Sequence, residues 1–228
     1  MRRVLFNVHW LLGITAGLVL AVVGFTGSML SFEKQIVTSL NDGIYLQAPR
    51  GIDRNDPRVI ASEAQVGKMF FREVRKLHRW LMVGEAGDRD VGRQIVGACT
   101  LLLLVMAASG LYLRWPRGNQ TWRSVLIPKL KLRGRALLWN LHSTAGLWCL
   151  LIYLLIALTG LTWSYPSYRD LLLSWWGADV RKLFLPLHSG QFFGVAGTIV
   201  FMLASLCMPL FAITGWILYL QRRTSVAQ

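Results

Sequence analysis

The sequence predicts an all-α membrane protein: a four-transmembrane-helix bundle made of a duplicated two-helix unit, N-in/C-in, with a short interfacial amphipathic helix in the first outer loop. Three observations predict this fold. The chain contains four long apolar runs, the third run repeats the first, and basic residues without acidic ones occupy alternate connections. The composition agrees, because 54% hydrophobic residues and a mean hydropathy of +0.44 are too apolar for an ordinary soluble domain.

Each apolar run is long enough to cross a bilayer, which takes about 20 helical residues for a hydrocarbon core of roughly 30 Å. The runs contain no Asp, Glu or Lys, and their one Arg is Arg114 at the end of the second. Backbone polar groups in lipid must be satisfied within their own element, so the runs are predicted to be helices. A single domain over residues 1–228 then has spans at 10–32, 95–115, 141–163 and 192–220, outer loops at 33–94 and 164–191, and an inner loop at 116–140.

The net charge of +14 does not indicate a nucleic-acid surface, because the basic residues are distributed along the chain as membrane topology predicts. All eleven Asp and Glu lie in the outer loops, whereas the inner segments carry basic charges alone. Short basic segments favour the cytoplasmic side and attract anionic lipids, which predicts the N-in/C-in orientation. The inner basic residues are Arg2, Arg3, Arg114, Arg117, Arg123, Lys129, Lys131, Arg133, Arg135, Arg222 and Arg223.

An internal repeat relates the two halves of the chain, which suggests duplication of a two-helix unit. The first and third spans align without a gap, matching Asn7 with Asn140, His9 with His142, Gly13 with Gly146, and Thr26-Gly27 with Thr159-Gly160. The second and fourth match more weakly, through Leu77-His78 with Leu187-His188 and Ser109-Gly110 with Thr214-Gly215. An insertion near residues 84–88 accounts for the different spacing in the weaker pair.

The first outer loop has two parts. Residues 41–57 are rich in turn formers and are predicted to be irregular. Residues 67–83 form an amphipathic pattern, with Phe70, Val74, His78 and Met82 on one side and basic residues on the other. This pattern predicts a helix lying in the membrane interface.

Four histidines, His9, His78, His142 and His188, each stand just ahead of a span or open it. Successive spans run in opposite directions, so two histidines belong to each membrane face. The repeat pairs His9 with His142 on the inner side and His78 with His188 on the outer side. Two imidazoles can serve as the axial ligands of haem iron, and facing helices commonly build such sites. The pattern predicts two non-covalent, bis-histidine haem b groups, since the chain has no CxxCH motif.

Local features agree with a flat cofactor. Gly13, Gly17 and Gly146 lie on the faces of the inner histidines, where missing side chains leave room for a porphyrin. A helix N-terminus also disfavours imidazolium, which keeps the ring neutral. The competing interpretations are that interfacial histidines only form hydrogen bonds and that the glycines only pack helices. A zinc or non-haem iron site is disfavoured, because no Asp, Glu or Cys stands at ligand spacing from the histidines.

Other polar residues have simpler interpretations. Cys99, Cys149 and Cys207 are predicted to be packing residues within spans. Asn7 and Asn140 are expected to cap helix starts, with orientation of a histidine or propionate as the alternative. The hydroxyls of Thr26, Thr159, Ser109 and Thr214 are expected to bond to their own helix backbone. Arg79, Arg133 and Arg135 form a solvated basic surface or pair with propionates.

Four segments together resemble the PepSY-associated transmembrane family: VRKLHRWL at 74–81, SGLYLRW at 109–115, NLHSTAG at 140–146 and LHSG at 187–190. Members of this family include di-haem ferric-siderophore reductases of the bacterial inner membrane. The resemblance implies a haem-dependent enzyme that passes electrons outward and reduces iron(III) in a periplasmic siderophore complex. This sequence departs from the family in its outer loops, which are too short for the sizeable PepSY-type domains that members often carry.

The electron donor has no sequence signature. The chain lacks a Gly-rich dinucleotide fingerprint, so a membrane quinol or a partner flavoprotein is expected to supply electrons, with residues 114–135 as the docking surface. Two alternative functions remain open at this point. One is a cytochrome b subunit of another membrane redox complex, and the other is a haem-free membrane anchor or interaction protein.

Overall fold

The computed structural model describes residues 1–41, 66–84 and 90–224, with side chains described as far as residue 221. The predicted irregular stretch at 41–57 and the insertion near 84–88 fall almost wholly outside these ranges. Within them all regular elements are helical, which confirms the all-α class. The helices are α1 (Arg2–Thr15), α2 (Gly17–Leu30), α3 (Glu33–Leu40), α4 (Lys68–Trp80), α5 (Asp90–Arg114), α6 (Trp122–Leu126), α7 (Gly134–Ser164), α8 (Pro166–Trp176), α9 (Arg181–Ser189) and α10 (Gly194–Thr224).

Three of these helices, α5, α7 and α10, are long and apolar enough to cross a membrane. Helices α1 and α2 together form a fourth candidate span, with a bend of 60° between them. The outward surface of the helices is apolar: Leu18 is 71% exposed and Leu151 is 75% exposed. Apolar exposure on this scale is costly in water and is what a lipid environment requires.

The first span is therefore not the single continuous helix that the apolar run predicted. The helix breaks at Ala16, where the Thr15 hydroxyl donates to the carbonyl of Leu11 at 2.9 Å. Gly17, the first residue after the break, has no side chain to resist the bend. As a result α1 packs mainly on α5, whereas α2 packs along α10.

The long helices are arranged so that α5 and α10 both pack against α7 and also against the α1–α2 pair. Helix α2 approaches α10 closely at Gly24, where an added Cβ would lie 2.5 Å from the Cβ of Met208 and 2.8 Å from the carbonyl oxygen of Ser205. Only glycine permits this separation of the two backbones. The buried core cluster at the middle of the long helices consists of Ala16, Leu20, Cys99, Leu103, Cys149, Tyr153, Ala157 and Ala204.

The cysteines are free, and Cys99 and Cys149 are buried within their helices, as predicted for packing residues. Beside Cys149 the Tyr153 hydroxyl donates to the carbonyl of Ala204 at 2.7 Å, which joins α7 to α10. A phenol buried in an apolar core needs such a partner, because an unpaired hydroxyl there is expensive.

The predicted amphipathic helix is present as α4, which begins after Gly67 at a φ of +82°. Its buried residues are Phe71 and Val74, and the helix packs against α2 and α5. Two members of the predicted apolar ladder do not join them: Phe70 is 54% exposed and Met82 is 56% exposed. Met82 is exposed because it lies beyond the end of α4. Phe70 lies within α4, and an interfacial helix has an apolar face wider than its contact with protein, because that face also meets lipid.

The inner connection is held against α7 by two buried polar side chains. The amide oxygen of Asn140 accepts from the backbone N–H of Lys129 at 2.6 Å, and the Thr144 hydroxyl donates to the carbonyl of Val125 at 3.2 Å. The prediction that Asn7 and Asn140 cap helix starts is wrong. Both lie inside helices, because α1 and α7 begin upstream of the apolar runs.

Candidate functional site

His78 and His188 precede their spans, as the sequence predicted, but none of the four histidines lies at the N-terminus of a helix. His9 and His142 lie well inside α1 and α7, while His78 and His188 occupy the last turns of the short helices α4 and α9. The expectation that helix N-termini keep the rings neutral is therefore wrong. A helix C-terminus favours imidazolium, so the positions of His78 and His188 in their helices do not keep these rings neutral.

The outer histidines come together from separate elements. Helix α4 packs on α2 and helix α9 packs on α7, and the rings of His78 and His188 have centroids 6.3 Å apart with an interplanar angle of 70°. Two imidazoles on opposite sides of one metal ion, each with a metal–nitrogen bond of about 2 Å, have centroids roughly 6 Å apart. The spacing fits a bis-histidine centre. The centroid of the Trp163 ring lies 5.3 Å from that of His188, so the indole covers one side of the outer pair.

The inner histidines share a cavity of about 730 Å³ that both His9 and His142 line. This volume is within the ordinary range of roughly 300–1,000 Å³ for small-molecule and cofactor sites. The three glycines singled out in the sequence, Gly13, Gly17 and Gly146, all line the cavity. A Cβ added to Gly146 would meet no atom within 4 Å, so this part of the wall is open to a flat ligand.

Four arginines also line the inner cavity: Arg2, Arg3, Arg114 and Arg135. Arg114 donates to the carbonyl of Val125 at 3.1 Å and lies over the Trp139 ring at 5.0 Å, which fixes its guanidinium. Guanidinium groups bind carboxylates through paired charge-assisted hydrogen bonds. The sequence offered propionate binding as one of two interpretations of Arg135. It assigned Arg2 and Arg3 to membrane topology, and Arg114 to topology and the docking surface, since nothing along the chain links these three to the histidines.

Each histidine uses its Nδ1 atom for a hydrogen bond to a neighbouring helix. In three of them Nδ1 reaches a backbone carbonyl, which can only accept, so Nδ1 must carry the proton. These distances are 3.1 Å from His9 to Met106, 2.9 Å from His78 to Val23 and 3.0 Å from His188 to Ile156. Each Nδ1 also lies near a hydroxyl oxygen, at 2.9 Å from His9 to Ser109, 3.1 Å from His78 to Thr26, 2.7 Å from His142 to Thr214 and 3.1 Å from His188 to Thr159.

A proton on Nδ1 leaves the lone pair of a neutral imidazole on Nε2, the atom that would bind a metal. Burial lowers the pKa of His78 to about 4 and, with the nearby His78 ring, that of His188 to about 4. Both rings of the outer pair are therefore neutral at physiological pH. Burial, not a helix N-terminus, is the cause.

The prediction for the hydroxyl residues was correct but incomplete. Thr26 does donate to its own helix, at 2.7 Å to the carbonyl of Val22, and so do the equivalent residues. Sequence reasoning missed their second partner, the histidine. A signal was present, because all four hydroxyl residues precede a glycine, at Gly27, Gly110, Gly160 and Gly215.

The family model described as "PepSY-associated TM region" matches the chain over residues 6–68, 50–178 and 168–222. These stretches include all four histidines and their hydroxyl partners. No curated protein shows a significant match to the chain.

Proposed function

Because the chain belongs to the PepSY-associated transmembrane family, we propose that it is a di-haem b oxidoreductase of the bacterial inner membrane. It moves electrons from the cytoplasmic side or the quinol pool to the periplasmic face, where it reduces iron(III) in a ferric siderophore. The iron leaves as iron(II), because siderophores hold iron(II) far more weakly.

One observation carries this proposal: two pairs of histidines, each ring with its Nδ1 bonded to protein and its Nε2 left for a ligand. Within the described residues no Nε2 atom has a hydrogen-bond partner. Haem iron bound between such a pair supplies reversible one-electron chemistry. The pairing of His9 with His142 and of His78 with His188 gives one such centre toward each membrane face.

The other residues support these centres in distinct ways. The glycines of the inner cavity leave space for a flat ring, and its arginines provide cations for the propionates. The apolar cluster that includes Leu103, Tyr153 and Ala157 fills the interior between the two pairs. The exposed basic residues of the inner connection, Arg117 and Arg123 among them, offer a surface for an acidic electron-donor protein.

The ligand assignment is tested by measuring haem b as the pyridine haemochrome after haem-replete expression and purification. We expect two haem b groups per chain. His9→Ala or His142→Ala should remove about half of the haem, and so should His78→Ala or His188→Ala, because a bis-histidine centre needs both ligands. Lys182→Ala, on the exposed surface of α9, is the control that should keep both haems. Full haem content in any histidine variant contradicts that histidine as a ligand.

The reductase activity is tested in proteoliposomes that hold a quinol donor and face a ferric siderophore, with a coloured iron(II) chelator outside. Chelator colour from the wild-type chain alone supports the reductase. Haem that is reduced but passes no electrons to the ferric siderophore contradicts it and favours a cytochrome b subunit of another complex. A chain that binds no haem contradicts both and favours an anchor or interaction protein.

A further inference from the structure

A contact of one kind recurs at all four histidines. In each, the ring lies against a glycine of a neighbouring helix, and its Nδ1 lies beside the hydroxyl of the residue before that glycine. A Cβ on the glycine would approach the ring Cε1 to 3.1 Å at Gly27, 3.1 Å at Gly160, 3.2 Å at Gly110 and 3.9 Å at Gly215. At Gly27, Gly160 and Gly110 the missing side chain admits the ring, whereas at Gly215 a Cβ would make only ordinary contact with it. At all four sites the preceding hydroxyl meets the ring nitrogen.

The direction of these hydrogen bonds follows from where the hydroxyl protons go. Thr214 donates to the carbonyl of Leu210 at 2.7 Å, and Thr159 donates to that of Leu155 at 2.6 Å. With the hydroxyl proton used within its own helix, the oxygen presents lone pairs to the imidazole and accepts from Nδ1–H. The hydroxyl therefore favours one tautomer of the histidine.

His142 depends on its hydroxyl more than the other three histidines do. His9, His78 and His188 each have a backbone carbonyl as a second acceptor for Nδ1–H. For His142 the Thr214 oxygen, at 2.7 Å, is the single acceptor among the described residues. A side-chain substitution can remove this acceptor completely, whereas a carbonyl remains at the other three sites.

We propose that Thr214 is the positioning residue that holds His142 in the Nδ1–H tautomer, whereas Ser109, Thr26 and Thr159 share this role with a backbone carbonyl at the other three histidines. An acceptor on Nδ1–H orients the ring and makes Nε2 a stronger donor. Resting on the proposed function, the same contact strengthens haem binding at the inner centre and lowers its reduction potential.

The first test needs no haem. Haem-free protein labelled with ¹⁵N-histidine is purified in detergent, and the tautomer of each ring is read from its imidazole ¹⁵N shifts, assigned by single His→Gln variants. We expect Nδ1–H at all four rings of the wild type. Thr214→Val should move His142 to a mixture with Nε2–H, while Thr26→Val leaves His78 as Nδ1–H through the Val23 carbonyl.

The matched control is Thr162→Val on α7. Thr162 is 2% exposed and donates to the carbonyl of Thr159 at 2.7 Å, but it has no contact with a histidine nitrogen. It should leave every tautomer unchanged. An unchanged His142 tautomer in Thr214→Val overturns the proposal.

The second test uses the haem-loaded protein. Thr214→Val should weaken the binding of inner haem by about 10-fold or more, by analogy with other residues that support metal ligands. It should also raise the inner midpoint potential in a redox titration, and Thr214→Ser should restore both. Values equal to those of Thr162→Val overturn the haem part of the proposal. Failure to bind haem at all counts against the proposed function alone, because the tautomer test is independent of it.

Discussion

At the scale of single residues, the state of the imidazoles is decided by small side chains on the opposing helices. A partly buried histidine needs a partner for each nitrogen that is cut off from water, since an unpaired polar group there is costly. Here the Nδ1 atoms of His78 and His188 are satisfied by Val23 and Ile156 together with neighbouring hydroxyls. The Nε2 atoms remain as potential ligands, and glycines rather than larger residues make the approach possible.

The open wall at Gly146 leads to a prediction that separates folding from cofactor binding. Gly146→Leu should fold normally, because no atom lies within 4 Å of the added Cβ. Its side chain should enter the inner cavity and exclude a planar ligand, so haem b should fall by about half while the outer centre is retained. The measurement is the haemochrome content, with detergent size-exclusion profiles as the check on folding. Two haems in a well-folded Gly146→Leu contradict the assignment of this cavity.

At the scale of elements, helix positions are set by where apolar side chains meet protein and where they meet lipid. The sequence pattern correctly predicted α4 and the three long helices α5, α7 and α10. It did not reveal the bend at Ala16, because hydropathy continues unchanged through it. The bend accompanies a change of packing partner, from α5 for α1 to α10 for α2.

The close approach of α2 to α10 gives the prediction at this scale. Gly24→Ala should destabilise the protein by about 1–3 kcal/mol, the usual cost of overpacking, which exceeds the gain of up to about 1 kcal/mol from the helix propensity of Ala. The added methyl would collide with the Cβ of Met208 at 2.5 Å. Reversible unfolding in mixed detergent micelles measures the change.

Gly146→Ala provides the matched control, because it makes the same change within a helix without a collision. It should be neutral or slightly stabilising. Equal stability of the two variants would contradict the tight packing at Gly24.

At the scale of the whole molecule, charge sets the expected orientation. Positive residues without acidic partners occupy the start, the inner connection and the tail, and such segments resist translocation. The structure contains no membrane, so the N-in/C-in orientation stays a prediction. The same holds for duplication of a two-helix unit, although the histidine–hydroxyl–glycine contact recurs in both halves.

Reporter fusions test the orientation directly. A fluorescent protein fused after residue 228 should be bright, and alkaline phosphatase at the same position should be inactive, because that end is expected inside. Phosphatase inserted at Gly177, in the second outer loop, should be active. Immunoblots normalise for expression. The reversed pattern would contradict N-in/C-in.

The sequence by itself determined the helical membrane class, the amphipathic helix and the residues that form the candidate sites. These features follow from the polarity and spacing of residues along the chain, which lipid and helix geometry impose locally. Only the tertiary structure decided that His78 and His188 lie 6.3 Å apart and that His9 meets Ser109 across the interface between α1 and α5. Such pairings join residues far apart in sequence, and close helix packing alone determines which hydroxyl meets which ring.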